Sequence, residues 1–194
     1  MEYITGIEQY NGKGKTAVTL GKFDGLHKGH QKLIEKICSY SNKDCKSVLC
    51  AFDMHREALM TKRERREYLD GKIDFLIEYP FTKELREMEA EVFIERILCK
   101  KLHASHIVVG SDFAFGYGKR GSIEMLEKFS AKKGYTLDVI EKERYDKAVI
   151  SSTYIREALS QGDMDLAAAL LGYPYSVTGI VQHGRQLGRT LGFP

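Results

Sequence analysis

The sequence lacks a long apolar run, cysteines at metal-binding spacing and a large net charge. No stretch approaches the length needed to cross a bilayer, and the N-terminal MEYITGIEQY has no signal-peptide profile. The four cysteines show no CxxC spacing, which argues against a zinc site or a disulfide framework and predicts reduced thiols in the cytoplasm. A formal charge of +3 suits anionic small molecules as well as nucleic acid, so it decides little.

Strand and helix patterns alternate through most of the chain. Apolar runs predict buried strands at residues 17–20, 46–52, 73–79, 106–110 and 135–141, with amphipathic segments between them. This alternation predicts an α/β fold, a Rossmann-like doubly wound parallel sheet with helices on both faces. We predict one domain over residues 1–172, followed over residues 173–194 by a linker and a short C-terminal β extension, where Val177, Gly179 and Val181 alternate.

A glycine-rich turn follows the first of these strands. Gly21, Gly25 and Gly29 let the backbone bend tightly and leave room for a ligand. The helix predicted to begin near His30 points its free N–H groups and its positive dipole end at this turn. His27 and His30 can donate hydrogen bonds to phosphate oxygens from the same place. We therefore predict a phosphate site rather than two surface histidines.

A second candidate phosphate site lies in VISSTYIREAL, residues 149–159. Any of Ser151, Ser152 and Thr153 can cap the helix that begins there, and capping alone would explain a hydroxyl. Arg156 favours a phosphate site, because its guanidinium fork can hold phosphate oxygens at two points.

Three other patterns were considered as binding sites, and each has a structural explanation or a mismatch. The string GKGKT at residues 12–16 imitates a P-loop, but the first glycine of that motif is missing and the string precedes a strand. Residues 116–121 match GxGxxG, but Ser111–Phe115 separate them from the strand that such a dinucleotide motif follows closely. Thr61 and Glu64 predict a capping box, and the basic residues after Thr61 are interpreted as a solvated face because no aromatic residues are interleaved for nucleic-acid binding. Those basic residues are Lys62, Arg63, Arg65 and Arg66.

The motifs also carry a resemblance to a known family. His27, Lys28, Gly29 and His30 spell HxGH, and residues 150–156 spell ISSTxIR, the two signature motifs of the HxGH nucleotidyltransferase superfamily. The longer string GKFDGLHKGH and the DFxFG loop at residues 112–116 resemble the FMN adenylyltransferase domain of bacterial FAD synthetases. The resemblance implies the HxGH nucleotidyltransferase fold over residues 1–172. It also implies transfer of AMP from ATP to FMN, giving FAD and pyrophosphate with Mg²⁺ accompanying ATP.

The same resemblance implies roles for individual residues. The catalytic residues would be His27, His30 and Arg156. The ATP-binding residues would be Gly21, Phe23, Asp24, Gly25, Gly29, Ser151, Ser152 and Thr153. The flavin-binding residues would be His55, Asp112, Phe113 and Phe115. Asp24 is as compatible with stabilising a turn as with metal binding, so no protein metal ligand is predicted. Met54 and Arg56 replace prolines usual in the family around His55, and either phenylalanine could instead fill the core.

The final string GIVQHGRQLGRTLGFP is similar to the opening of a riboflavin kinase domain. We expect this 194-residue chain to lack riboflavin kinase activity, and we expect no nucleic-acid or membrane partner. Oligomeric state is left open. Two alternatives remain: another HxGH nucleotidyltransferase with a different phosphate acceptor, and a non-catalytic module that binds flavin nucleotides.

Overall fold

The structure is a computed structural model, and it describes residues 1–42, 44–53, 58–184 and 192. Its centre is a six-stranded parallel sheet, in the order β1-β4-β3-β2-β5-β6. The strands are β1 (Glu2–Thr5), β2 (Lys15–Gly21), β3 (Cys45–Asp53), β4 (Phe75–Pro80), β5 (Ala104–Gly110) and β6 (Thr136–Ile140). The parallel α/β sheet predicted from the sequence is confirmed, and only β1 was not predicted.

Helices connect these strands. They are α1 (Lys28–Ser39), α2 (Lys62–Leu69), α3 (Lys83–Glu87), α4 (Ala90–Val92), the π-helix Phe93–Lys101, α5 (Ile123–Lys133), α6 (Ser152–Ser160) and α7 (Met164–Leu171). Short 3-10 turns lie at Ile7–Gln9 and Tyr117–Lys119, and a hairpin joins β7 (Arg144–Tyr145) to β8 (Ala148–Val149). The capping box of Thr61 and Glu64 forms as predicted, and Gly134 ends α5 in the left-handed conformation.

Both faces of the sheet are buried. On β3, Val48 and Cys50 belong to a core cluster that includes the π-helix, whereas Leu49 and Ala51 belong to a second cluster that includes α1 and α2. Alternate residues of one strand thus enter different cores, as expected for a parallel strand covered on both sides. This arrangement explains why β3 reads as a continuous apolar run.

The strand order places a crevice at one point of the sheet. β3 and β4 lie on one side of β2, whereas β5 and β6 lie on the other. Ligands of open α/β sheets bind outside the carboxyl ends of the strands where the order reverses in this way. The loop after β2 and the loop after β5 carry the HxGH motif and the DFxFG motif respectively, so both motifs reach this crevice.

The predicted C-terminal β extension does not form among the described residues. Residues 174–184 contain no strand, and Val177, Ile180 and Val181 are 78%, 89% and 100% exposed. Alternation alone predicted that strand, but a strand also needs a partner edge, and here the backbone N–H of Thr178 donates to the Glu64 carboxylate instead. None of the helices in the described part of the chain has the length and apolarity that a bilayer crossing requires.

Candidate active site

A cavity of about 670 Å³ opens at the carboxyl ends of β2 and β5. Every predicted site residue lines it except Asp24 and Gly25, and except His55, which lies outside the described residues together with Met54 and Arg56. The HxGH motif and the ISSTxIR motif therefore face one space, although more than 100 residues separate them in the sequence. The volume is within the range of small-molecule and cofactor sites.

His27 caps α1. Its Nδ1 accepts a hydrogen bond from the backbone N–H of His30 at 3.4 Å, so the helix begins at Lys28 and not near His30 as predicted. The side chain is only 7% exposed, and burial lowers its pKa to about 4. His27 is therefore neutral at pH 7. Because Nδ1 is the acceptor, the ring carries its proton on Nε2 and can donate it to a ligand oxygen.

His30 stacks on His27, with ring centroids 3.7 Å apart and planes 20° apart. Its Nδ1 is buried and has no hydrogen-bond partner within the described residues. Burial, followed by the charges of His27 and Arg65, holds the pKa of His30 well below its usual value. Both histidines are neutral donors in a partly dry site, and a bound phosphate would raise the pKa of each.

The buried His27 makes stability depend on pH. In the unfolded chain its pKa would be near 6.5, against about 4 in the fold, so the unfolded state binds more protons between these values. We expect stability to fall as pH drops from 6.5 towards 4, with His27 contributing up to about 3 kcal/mol. Urea unfolding of the parent and of His27→Asn, which keeps a capping side chain, measures this. Equal losses in the two proteins would contradict it.

Asp24 lies behind the cavity wall and not in it. It is 4% exposed; one carboxylate oxygen accepts from the backbone N–H of Leu59 at 2.7 Å and the other pairs with the guanidinium of Arg156. Its backbone carbonyl accepts from the Ser152 hydroxyl at 2.9 Å. Asp24 therefore ties the turn after β2 to α6, and its predicted contact with ATP stays a prediction.

Gly25 has a structural role in the same turn. Its φ is +76°, and a Cβ there would lie 2.7 Å from Cδ1 of Leu59. Its carbonyl accepts from the Tyr173 hydroxyl at 2.6 Å. The left-handed turn and the packing under α7 therefore require a glycine at this position, and its predicted contact with ATP stays a prediction.

The hydroxyls at the start of α6 have different partners. Ser151 is the N-cap, and its Oγ accepts from the backbone N–H of Tyr154 at 3.2 Å. Ser152 donates to Asp24, as described above. Thr153 is exposed and lines the cavity. Capping thus accounts for Ser151, and Thr153 is the hydroxyl best placed for a ligand.

Part of the cavity lining is aromatic. It is lined by Phe52, Phe81, Leu85, Phe93, Phe113 and Phe115. The rings of Phe113 and Phe115 stack at 5.5 Å and 19°, and Phe115 is only 7% exposed against Phe93. Phe115 therefore fills the core while it backs Phe113. Phe52 and Phe81 were missed, although their places near the end of β3 and just after β4 put them at the ligand-binding edge.

Arg65 was also misread. The sequence predicted a solvated basic face, but Arg65 is 7% exposed and pairs with Glu78, which is 1% exposed, at 2.9 and 3.0 Å. Its remaining nitrogen donates to the carbonyls of Lys22 at 3.1 Å and Phe23 at 3.4 Å. Two signals were available: Arg65 and Leu69 share one face of α2, and Glu78 interrupts an apolar strand.

Two family models match this chain. That of the FAD synthetases matches residues 10–154, which include the HxGH loop and most of the cavity lining. The chain belongs to the FAD synthetase family. The riboflavin kinase model matches residues 171–194, in agreement with the resemblance of that segment. Membership confirms the prediction of an enzyme of FAD synthesis with FMN adenylyltransferase activity.

Bacterial relatives agree with this membership. A bifunctional riboflavin kinase/FMN adenylyltransferase of Haemophilus influenzae is 36% identical over 207 residues, covering 100% of this chain and 67% of its own length. A protein of the same name from Escherichia coli is 33% identical over 208 residues, covering 100% of this chain and 66% of its own. The chain thus spans about two thirds of the length of these relatives.

Solved structures support the fold. A Streptococcus pneumoniae structure, described as a macrolide-efflux protein, superposes with a TM-score of 0.85 at 28% identity, covering 99% of this chain and 67% of its own. Pantothenate synthetase from Thermus thermophilus reaches a TM-score of 0.51 at 15% identity, covering 89% of this chain and 81% of its own. The second likeness shows the fold alone.

Charged groups form the rim of this FAD synthetase cavity. Asp112 pairs with Lys142 at 2.8 Å and Glu143 pairs with Lys32. The Asp112 side chain is 67% exposed, so it lies at the mouth of the cavity. Within the described ranges, no three His, Cys, Asp or Glu side chains are grouped as a metal site would require.

Proposed function

We propose that this cavity binds ATP and FMN together and transfers AMP between them. An oxygen of the FMN phosphate attacks the α-phosphorus of ATP, the bond between the α- and β-phosphates breaks, and pyrophosphate leaves with the electron pair. The observation that carries the proposal is the meeting, in one cavity, of two neutral histidines, an arginine and an aromatic wall. No protein nucleophile is needed, because positioning and charge stabilisation suffice.

His27 and His30 are proposed to donate hydrogen bonds to the phosphate oxygens where negative charge develops. Their stacking fixes the two rings relative to each other, and the N-terminus of α1 lies directly behind them. Donors that are already oriented need no reorganisation during the reaction, so they stabilise the transition state more than the bound substrate.

Arg156 and Thr153 are proposed to hold the leaving pyrophosphate. Asp24 supports this role because its pairing with Arg156 fixes the direction of the guanidinium from behind the wall. Mg²⁺ is proposed to arrive with ATP and to neutralise phosphate charge when bound. This fits the described part of the site, where no three-ligand cluster occurs, since Mg²⁺ commonly relies on phosphates and water with few protein ligands.

The flavin ring is proposed to lie against Phe113, with Phe52 and Phe81 nearby and Asp112 at the mouth. Planar aromatic rings offer a face for a planar heterocycle, and Phe115 holds Phe113 in place. Participation of His55 remains a prediction outside the described residues. We also propose a cytoplasmic location, which suits the free thiols of Cys38, Cys45, Cys50 and Cys99.

Phe113→Ala is expected to raise KM for FMN roughly tenfold, the effect of about 1.4 kcal/mol of lost stacking, while KM for ATP changes little. Steady-state kinetics with each substrate varied in turn measures the split. Phe129→Ala, a partly buried phenylalanine of α5 outside the cavity lining, is the control. Equal effects on both substrates would contradict a flavin role for Phe113.

Acceptor choice tests the proposed function against its alternatives. With ATP and Mg²⁺ constant, FMN, phosphopantetheine, phosphocholine and nicotinamide mononucleotide are supplied in turn and pyrophosphate release is followed. We expect release with FMN alone. Release with another acceptor would assign a different transferase, and flavin binding without release would assign a non-catalytic module.

A further inference from the structure

The ion pair of Arg65 and Glu78 lies beneath the cavity without lining it. All three nitrogens of the guanidinium are used: two bind the Glu78 carboxylate, and the third donates to the carbonyls of Lys22 and Phe23. An ion pair this deeply buried is weak evidence for stability, because its desolvation offsets most of the attraction. The contacts of Arg65 with the adjacent turn indicate that the ion pair serves to shape that turn.

The turn that Arg65 holds is unusual. Phe23 has φ +48°, a left-handed conformation that a bulky residue adopts only when its surroundings impose it. Its side chain is fully buried, and its ring lies 5.0 Å from that of His30, tilted by 49°. Arg65 thus fixes the Phe23 backbone, and the Phe23 ring forms one wall of the His30 pocket.

We propose that Arg65, held by Glu78, is a positioning residue for AMP transfer that sets His30 through the left-handed turn at Phe23 and places a positive charge behind it. The proposal rests on the function assigned above to His30. The titratable and charged groups acting on His30 are His27, stacked on it from α1, and Arg65 from α2. Both disfavour a proton on His30, which therefore stays a neutral donor until phosphate binds.

The decisive variant replaces the pair by apolar residues, Arg65→Met with Glu78→Leu. Such replacements commonly preserve stability, because neither charge is left unpaired. We expect a similar Tm, a fall in kcat of about ten- to a hundredfold from misplacement of His30, and little change in KM for ATP. The imidazole NMR signals of His30, identified by their loss in His30→Gln, should titrate at higher pH than in the parent. Parent-like turnover and titration at an unchanged Tm would overturn the proposal.

Glu78→Gln tests the same charge effect, with a shift of the His30 titration expected in the opposite direction. Arg65 keeps its donors to Lys22 and Phe23, but its charge is no longer balanced by a carboxylate, so His30 is expected to titrate at lower pH than in the parent. A shift of His30 in the same direction in both variants would contradict a charge effect. If Glu78→Gln does not fold, the double variant still decides.

A matched pair on the same helix separates positioning from general changes to α2. Arg63 and Glu67 form an exposed pair, with side chains 79% and 60% exposed. Arg63→Met with Glu67→Gln is expected to leave kcat and the His30 titration unchanged. His30→Ala is assayed in parallel: if it retains activity, the role proposed for His30 fails and this inference fails with it, whereas if it loses activity while the Arg65 variant does not, only this inference fails. Absence of FAD formation by the parent itself would overturn the proposed function.

Discussion

His30→Ala is expected to lower the kcat for FAD formation by about 10²- to 10³-fold, as removal of one oriented donor does in other sites where an oxyanion develops. KM for ATP is expected to change by less than about tenfold, since the donor acts mainly on the transition state. Stability should change little, because the buried Nδ1 of His30 has no hydrogen-bond partner in the described structure and its removal leaves nothing newly unsatisfied.

Turnover and Tm are measured together for this variant. His103→Asn is the matched control, because His103 is exposed, lies outside the cavity lining, and has a left-handed backbone that asparagine tolerates. A large loss of Tm in His30→Ala would show that the histidine supports the fold, and full turnover would remove it from the chemistry.

Arg156→Ala is expected to lower kcat/KM for ATP by about 10²-fold or more through the loss of a charged phosphate contact. Asp24→Asn is expected to cost less, because its side chain acts on the ligand only by orienting Arg156. In the double variant, the asparagine should then add almost nothing, since two residues that act as one unit are not additive.

Steady-state kinetics on the parent, the two single variants and the double variant measures the coupling between Asp24 and Arg156. Arg96→Ala, which removes an exposed arginine outside the cavity lining, controls for general loss of positive charge. Additive losses would mean that Asp24 and Arg156 contribute separately and would contradict the positioning role of Asp24.

Local patterns predicted much of the fold. The apolar runs of β2 to β5 were visible because strands buried on both faces carry continuous apolar residues. The cap at Thr61 was visible because a side-chain oxygen must satisfy the free N–H groups at the start of a helix. The edge strand β1 was not predicted, since only four residues pair there and one alone is buried.

The residues that line the cavity were predicted better than the orientations and contacts of their side chains. His27 was predicted to precede the helix. Its role as the N-cap was not predicted, because the helix was expected to begin after Gly29. The pairing of Asp24 with Arg156 joins residues 132 positions apart, so no local pattern could show that this carboxylate binds the guanidinium. The position of Arg65 on the same face as Leu69 could have indicated its burial, but only the fold places Glu78 against it.

The most direct test of the account is FAD formation itself. The chain is incubated with ATP labelled in the α-phosphate, Mg²⁺ and FMN, and the flavins are separated by chromatography. We predict label in FAD and unlabelled pyrophosphate, with no adenylylated product when riboflavin, which has no phosphate to attack with, replaces FMN. Binding of both nucleotides without labelled FAD, under conditions where the chain is folded, would contradict the assignment of this cavity to AMP transfer.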